Sequence, residues 1–441
     1  MKLFSVILLL FLSFKAFAQK PGEILATANG QNYTAIDLAP EARQDFENLP
    51  KTIANVRLSL LEQQINDILF EAEAAAQKTS VEKLIEREIR SKIPVPTDAQ
   101  IKAVYDANRA AVGGKTLEEI RPQIVAFLRR EPEQVAHNGY LSNLKVKYKA
   151  TLGKDVNAAN LTGFEVLATA ADKQISTRSY EAKNKITLTE IEAEVYERTR
   201  DALEQIVYSN LLVDEAKTQN IGAGDLIERE ITSKMKDSSD EERLPLENAL
   251  REKLFRKYNA KFLLKEIAPV VQNISADDDP AQGKTTAPVT VVMFTDFQCP
   301  ACAATHPALK KVLAEYADKV RLVVRDFPLV QIHENAFQSA IAAGAANAQG
   351  KFYEYAEVLY KNQNALDAVS LKKYAADLGL NLKQFDADLA NPKIADEVRK
   401  DIEDGKRYGL SSTPTIFVNG VKVRQLSPQS FRKAIDKALK K

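Results

Sequence analysis

The stretch Val289-Thr290-Val291-Val292-Met293-Phe294-Thr295-Asp296-Phe297-Gln298-Cys299-Pro300-Ala301-Cys302 decides the fold of the C-terminal part of the chain. Val289 to Phe294 is a β-branched and apolar run, suited to a strand covered on both faces. The two cysteines follow at once, and Ala303 to Tyr316 reads as a helix. A sulfur at a helix N-terminus meets unpaired N–H groups and the positive end of the helix dipole, and both favour the anion. The thiolate is the attacking species in disulfide chemistry. Pro300 suits the first helical turn, where a missing N–H costs nothing. Cys299 therefore reads as the nucleophile, and Cys302, one turn deeper, as the resolving thiol.

These are the only two cysteines in 441 residues. A disulfide that closes so small a loop is a poor structural staple. A zinc site would need partners, yet the three histidines, His137, His306 and His333, are scattered without ligand spacing. Redox chemistry is the reading that remains, with no metal and no organic cofactor expected. The 61 basic and 60 acidic residues leave a net charge of +1. That balance gives no electrostatic basis for nucleic acid as a partner.

Residues 1–18 read as a secretory signal peptide. Lys2 precedes an uncharged apolar run from Leu3 to Phe14, and Ala16-Phe17-Ala18 offers a small-x-small cleavage site before Gln19. The run is too short to span a bilayer comfortably. A soluble, periplasmic mature protein is expected, in a compartment that permits disulfides.

The region before the dithiol repeats itself. Ile24-Leu25-Ala26-Thr27-Ala28 recurs as Val166-Leu167-Ala168-Thr169-Ala170, and Leu84 to Ile93 recurs as Leu226 to Met235. Both recurrences keep one offset of 142 positions, from 24 to 166 and from 84 to 226, which marks a duplication. Each copy opens with a strand-like piece and a polar turn, Asn29-Gly30 in the first and Ala171-Asp172 in the second. Long amphipathic helices follow. Leu61, Ile65, Ile68 and Ala72 share a helix face in copy one, and Leu203, Val207 and Leu211 answer in copy two. Pro94 and Pro96 end one helix, and Thr97 caps the next. With Leu69-Phe70-Glu71-Ala72-Glu73-Ala74 and Leu211-Leu212-Val213-Asp214-Glu215-Ala216, each copy resembles the N-terminal helical region of SurA-type periplasmic chaperones. The apolar faces read either as a cradle for unfolded polypeptide or as the plain core of a spacer or dimerisation platform. No proline isomerase domain is recognisable.

Further motifs extend the C-terminal pattern: His306-Pro307, Arg325-Asp326-Phe327-Pro328-Leu329, Gln349-Gly350-Lys351-Phe352-Tyr353, and Ser412-Thr413-Pro414-Thr415-Ile416-Phe417-Val418-Asn419-Gly420. Together with Phe-x-Asp-Phe-x-Cys-Pro-x-Cys at Phe294 to Cys302, the stretch from Asn273 to Lys441 resembles the DsbA family. The resemblance implies an α/β thioredoxin fold with a helical insertion between Asp326 and Thr413. It makes Pro414 the cis-proline that lies against the dithiol. Thr413, Pro300 and Ala301 become the residues that meet an extended substrate. Asp296 is a candidate to tune the site or equally a capping or turn residue, and His306 reads as a partly exposed helix residue that could also tune the site. His333 reads as a packing or capping residue.

The expected organisation is a signal peptide (1–18), a helical repeat (19–153), a second repeat (161–272) and a thioredoxin-like domain (273–441), with Asn273 to Ala287 as linker or irregular lead-in. The expected activity is thiol:disulfide oxidoreduction on unfolded or cysteine-containing exported proteins. By resemblance, a membrane partner of the DsbB or vitamin K epoxide reductase type would reoxidise the dithiol. An isomerase, a reductase, or a chaperone using the thioredoxin domain as a platform are the alternatives.

Overall fold

The computed structural model describes residues 22–440 apart from 111, 115 and 277. The expected signal peptide thus lies outside the described residues. The chain divides into two compact units, Met1–Lys265 and Glu266–Lys441.

In the first unit, copy one runs β1 (Ala26–Ala28), β2 (Gln31–Tyr33), α1 (Pro40–Ala76), α2 (Val81–Glu88), α3 (Asp98–Ala107), α4 (Leu117–Lys147) and β3 (Thr151–Leu152). Copy two runs β4 (Val166–Ala170), β5 (Lys173–Ser176), α5 (Thr177–Thr218), α6 (Ala223–Glu230), α7 (Asp240–Lys257) and β6 (Lys261–Phe262). Thr97 caps α3 with a reciprocal bond to Gln100. Both hairpin turns adopt left-handed backbone: Asn29 (φ 48°) and Gly30 (φ 75°), then Ala171 (φ 47°) and Asp172 (φ 58°). Two-residue hairpins demand that geometry, so copy two places an alanine there at a steric cost of roughly 1–2 kcal/mol.

The two copies do not fold side by side. β1 of copy one pairs with β6 of copy two, and β3 of copy one pairs with β4 of copy two. The turn N–H of Asn29 bonds the Tyr258 carbonyl at 3.0 Å, and that of Ala171 bonds the Tyr148 carbonyl at 3.3 Å. α1 and α5 pack along each other and connect two lobes, each with its own core. One core joins Leu61, Ile65 and Leu69 to Leu167, Ile175 and Tyr180. The other joins Leu203, Val207 and Leu211 to Leu25, Ala26, Tyr33 and Leu38. The buried face of α1 therefore continues through Leu69 rather than Ile68 and Ala72, which are only half-buried. Each lobe also repeats a polar anchor. Buried Glu73 accepts from Lys147 Nζ at 2.5 Å and Tyr148 Oη at 2.7 Å. Glu215 accepts from Lys257 and Tyr258 at the same distances. The Lys257 hydrogen bond holds the Glu215 carboxyl below its ordinary value.

Residues 161–272 alone should therefore not form a folded monomer. Their lobe would lack Leu25, Ala26, Tyr33 and Leu38, and buried apolar side chains contribute roughly 1.5–3 kcal/mol each. That loss rivals the whole stability of an ordinary domain. A monomeric fragment with a cooperative thermal transition by circular dichroism would refute the exchange of elements.

The second unit carries β7 (Ala281–Gln282), β8 (Val289–Thr295), α8 (Pro300–Tyr316), β9 (Val320–Asp326), then α9 (Ala336–Asn347), α10 (Phe352–Lys361), α11 (Ala368–Asp377), α12 (Leu382–Leu389) and α13 (Pro392–Arg407). β10 (Thr415–Val418), β11 (Val421–Val423) and α14 (Pro428–Leu439) complete it. The sheet order is β11-β10-β8-β9-β7. Only the β8–β9 pair is parallel. β8 alternates its faces as a doubly covered strand must. Val289, Val291 and Met293 pack with Leu309 of α8 and Phe431 of α14, while Val292 and Phe294 pack with Phe327, Leu410 and Phe417. The five helices between β9 and β10 form the insertion, where Ala342, Ala343, Ala345 and Ala346 are fully buried.

The lead-in is irregular in its described residues apart from one short strand. Ala281 and Gln282 add an edge strand to β9. Just before them, the Asp279 carboxylate lies 2.9 Å from Arg325 Nε. The Arg325 side chain is fully buried, and Asp401 (2.5 Å) and Asp404 (2.8 Å) also meet it. A buried guanidinium requires charged partners, and this one fastens the lead-in to the sheet.

Candidate active site

β8 ends at Thr295, and the four residues 296–299 turn the chain into α8. Cys299 is the N-cap of that helix and Pro300 its first residue. The Cys299 carbonyl already accepts from the main-chain N–H of Cys302 (3.1 Å) and Ala303 (3.2 Å). Its sulfur is therefore left at the open end of the helix. The peptide bond between Thr413 and Pro414 is cis. It brings the Thr413 carbonyl 3.4 Å from Cys299 Sγ. Pro414 itself leads into β10, which pairs with β8, so the sheet fixes the distance between the loop and the dithiol.

The two sulfurs sit in unlike surroundings. Cys299 is 7% exposed and Cys302 is wholly enclosed. The hydrogen bond from Cys302 pulls the Cys299 thiol down from 9.0 to about 5. The main-chain N–H groups of Cys302 and Ala301, and Thr413 beside the sulfur, add to it. Burial pushes Cys302 far the other way, and the neighbouring Cys299 reinforces that. At neutral pH the pair thus holds one thiolate and one thiol.

Under the dithiol lies a polar floor that sequence reasoning did not find. The Thr295 hydroxyl faces Cys302 and shares a 2.6 Å hydrogen bond with Tyr360 Oη. Asp326, in register with Thr295 across the parallel pair, is half-buried, with its Oδ1 shut away from solvent and without a hydrogen-bond partner. Burial, with Asp401 and Asp296 nearby, holds its carboxyl well above the usual range. Gln363 Nε2 donates to the carbonyls of Phe297 (2.9 Å) and Cys299 (2.8 Å), bracing the active loop. Tyr360, in α10, and Gln363, in the turn after it, come from the insertion, whose sequence carries no mark of the site. Asp326 was legible only once the parallel register was known.

The remaining candidates find other occupations. The Asp296 carboxylate accepts from Gln298 N (2.8 Å), Leu329 N (2.8 Å) and His333 Nδ1 (2.7 Å), pinning the loop that follows β9. Its main chain, not its carboxylate, faces Cys302. His306 is buried with its ring centroid 4.8 Å from that of Tyr360, and burial lowers its pKa, which favours the neutral imidazole. Pro300 and Ala301 are exposed on the first turn of α8, beside Cys299.

Residues 275–437 match the family model described as Thioredoxin. The C-terminal unit has the thioredoxin fold, interrupted by its helical insertion. Among curated proteins, the chain is 36% identical over 155 residues to the Na(+)/H(+) antiporter NhaA 1 of Mycolicibacterium vanbaalenii, covering 35% of this chain and 25% of that protein. It is 39% identical over 147 residues to NhaA 3 of Salinispora tropica, covering 33% and 22%. The chain thus spans about a quarter of the curated relatives it matches. Among solved structures, a thioredoxin-like oxidoreductase from Silicibacter pomeroyi is 26% identical, covering 37% of this chain and 93% of that one, with a TM-score of 0.35. BdbD from Bacillus subtilis is 24% identical, covering 39% and 99%, also with a TM-score of 0.35.

Proposed function

We propose that the chain is an extracytoplasmic dithiol oxidase of the DsbA type, which introduces disulfides into exported proteins while its duplicated region holds them unfolded. The observation that carries this reading is the Cys299 thiol held down to about 5 beside a buried, protonated Cys302. A stabilised thiolate stabilises the reduced enzyme, and that makes its disulfide a strong oxidant.

The exchange balances in two displacements. A client thiolate attacks Cys299 Sγ of the oxidised pair, breaking the Cys299–Cys302 bond, and Cys302 leaves and takes up a proton. A second client thiolate then attacks the client sulfur of the mixed disulfide and releases Cys299 as its stable thiolate. Two client thiols are oxidised and one enzyme disulfide is reduced. Reoxidation falls to a membrane partner of the DsbB or vitamin K epoxide reductase type. Thr413, Pro300 and Ala301 line the approach to Cys299 and would meet the client main chain.

The holding role of the SurA-like repeats is supported by large apolar side chains left in solvent on the first unit. Phe127 is 64% exposed, Phe164 74% and Val146 81%. Export rests on residues 1–18. Among the described residues no helix is long and apolar enough to cross a membrane.

Equilibration with glutathione tests the direction of electron flow. An oxidase should show a potential above about −180 mV, toward the −120 mV end of the fold's range. A value near the −270 mV of thioredoxin would make the protein a reductase.

A further inference from the structure

The duplication supplies an internal comparison. Lys147 at the end of α4 and Tyr148 after it anchor Glu73 as Lys257 at the end of α7 and Tyr258 after it anchor Glu215, so residues of α4 correspond to those of α7 110 positions later. Residues of α1 correspond to those of α5 142 positions later. At three corresponding places the copies differ in kind. Copy two has Tyr208, Glu247 and Arg251, whereas copy one has Asn66, His137 and Leu141.

In copy two these bulkier side chains pack against one another, with Tyr208 Oη and Arg251 Nε left without hydrogen-bond partners. Tyr208 is 3% exposed. The Arg251 guanidinium lies 5.2 Å from its ring centroid and 3.4 Å from Glu247. In copy one a groove opens instead between α1, α4 and α2. It comprises two adjoining hollows of about 500 and 350 Å³ that share Gln63, Asn66 and His137. Asn66 Oδ1 and His137 Nδ1 are both buried there without a hydrogen-bond partner.

The walls grade from polar to apolar. At one end Lys145 pairs with Glu62 at 3.0 Å. At the other, Phe70, Val81 and Ile85 form an apolar seat, with the His137 ring 5.2 Å from that of Phe70. A purely apolar ligand would leave the two buried polar atoms unpaired, at roughly 1–3 kcal/mol each. An anionic ligand would meet Glu62, Asp67 and Glu71 on the walls. A polypeptide main chain brings one donor and one acceptor per residue, which is what an amide oxygen and an imidazole nitrogen require. The groove follows α1 from Ser59 to Glu71, roughly 18 Å at 1.5 Å per residue, or about five residues of extended chain.

We propose that this groove of copy one binds an extended polypeptide segment. One apolar side chain seats against Phe70, Val81 and Ile85, and the main chain pairs with Asn66 and His137. The inference deepens the client-holding reading above by placing client contact in one lobe only.

The test uses the full chain and a cysteine-free, fluorescein-labelled heptapeptide of alternating serine and phenylalanine, which the dithiol cannot hold covalently. Fluorescence anisotropy should show saturable binding. The triple variant N66Y/H137E/L141R, which installs copy two's filling set, should weaken it at least tenfold. Reduction of a small aromatic disulfide by the dithiol should stay unchanged. His137 is one of three histidines in the chain, so NMR supplies a readout that survives a misfolded variant. Peptide should shift the His137 imidazole resonance of the wild type and leave those of His306 and His333 in place. No saturable binding, binding indifferent to the triple variant, or an unmoved His137 resonance would overturn the proposal. Should the triple variant still suppress aggregation of a reduced, unfolded protein as the wild type does, the groove fails and client holding stands. Should the wild type bind the peptide yet suppress no aggregation, client holding fails and the groove stands.

Discussion

Cys302→Ala should raise the titration of Cys299 by more than one pH unit, whereas Cys302→Ser should leave it near 5. The hydrogen bond from Cys302 is the largest influence holding the Cys299 thiolate. Serine keeps a donor at that place and alanine removes it. One unit corresponds to about 1.4 kcal/mol, or tenfold in thiolate at a pH below the new value. The pH profile of iodoacetamide alkylation reads the change directly. Both variants should lose catalytic turnover entirely, because neither can re-form the enzyme disulfide. Only the serine variant should keep an easily displaced, low-pKa sulfur.

The same shift sets a pH dependence. The folded Cys299 value lies below the unfolded 9.0, so its contribution to the reduced protein is complete above about pH 9. It is lost as pH falls through about 5. Reduced wild type should therefore lose stability relative to the oxidised protein on acidification through that window. In Cys302→Ala the loss should be smaller and should end at a higher pH, because only the folded value moves. Equal acid sensitivity of the two redox forms would exclude a stabilised Cys299 thiolate in the reduced protein.

The second large effect is on stability. Arg325→Met should destabilise the C-terminal unit by about 3–5 kcal/mol, the usual cost of leaving buried partners uncompensated. Asp279 and Asp401 would then lose their shared cation, and Asp404 would keep only Arg407. Burial already holds Asp401 and Asp326 above the ordinary carboxylate value. Each therefore favours the fold most in its protonated form. That contribution is complete below the unfolded value of 3.8 and is lost as pH rises through the raised folded one. Without Arg325 the raised values should climb further, so urea unfolding midpoints of the variant should recover on mild acidification. Wild type should show a smaller gain. A midpoint unchanged by the substitution would mean that the cluster carries no stability.

Much of the candidate site was visible as local chemistry. Val289 to Cys302 specifies a buried strand and a sulfur at a helix N-terminus, because period, β-branching and Pro300 act within a few residues. The thioredoxin fold follows from that order, and the alanine-rich helix of the insertion was legible by composition. The Asn273 to Ala287 stretch reads as linker or irregular lead-in, and apart from the two residues of β7 its described residues are irregular. That strand is not legible locally, because its partner, the β9 edge, lies about forty residues further along the chain.

The duplication was equally plain, yet its consequence was not. Periodicity reports that Leu203, Val207 and Leu211 share a buried face, but no local pattern says that Leu25 and Tyr33 of the other copy complete it. Near-identical hairpins compete for either lobe, and only chain connectivity and packing select the exchanged partner. The difference between a filled and an open groove is likewise three substitutions that read as surface variation until α1 and α4 are set beside α5 and α7.

The sequence by itself determined the secondary structure around the dithiol and the existence of two repeats, because each depends on neighbours along the chain. The tertiary structure alone decided what lies beneath the sulfurs, which copy fills which lobe, and where Asp296, Asp326 and Tyr360 act. Those depend on parallel register and on contacts between residues far apart in sequence, which leave no periodic trace in either partner.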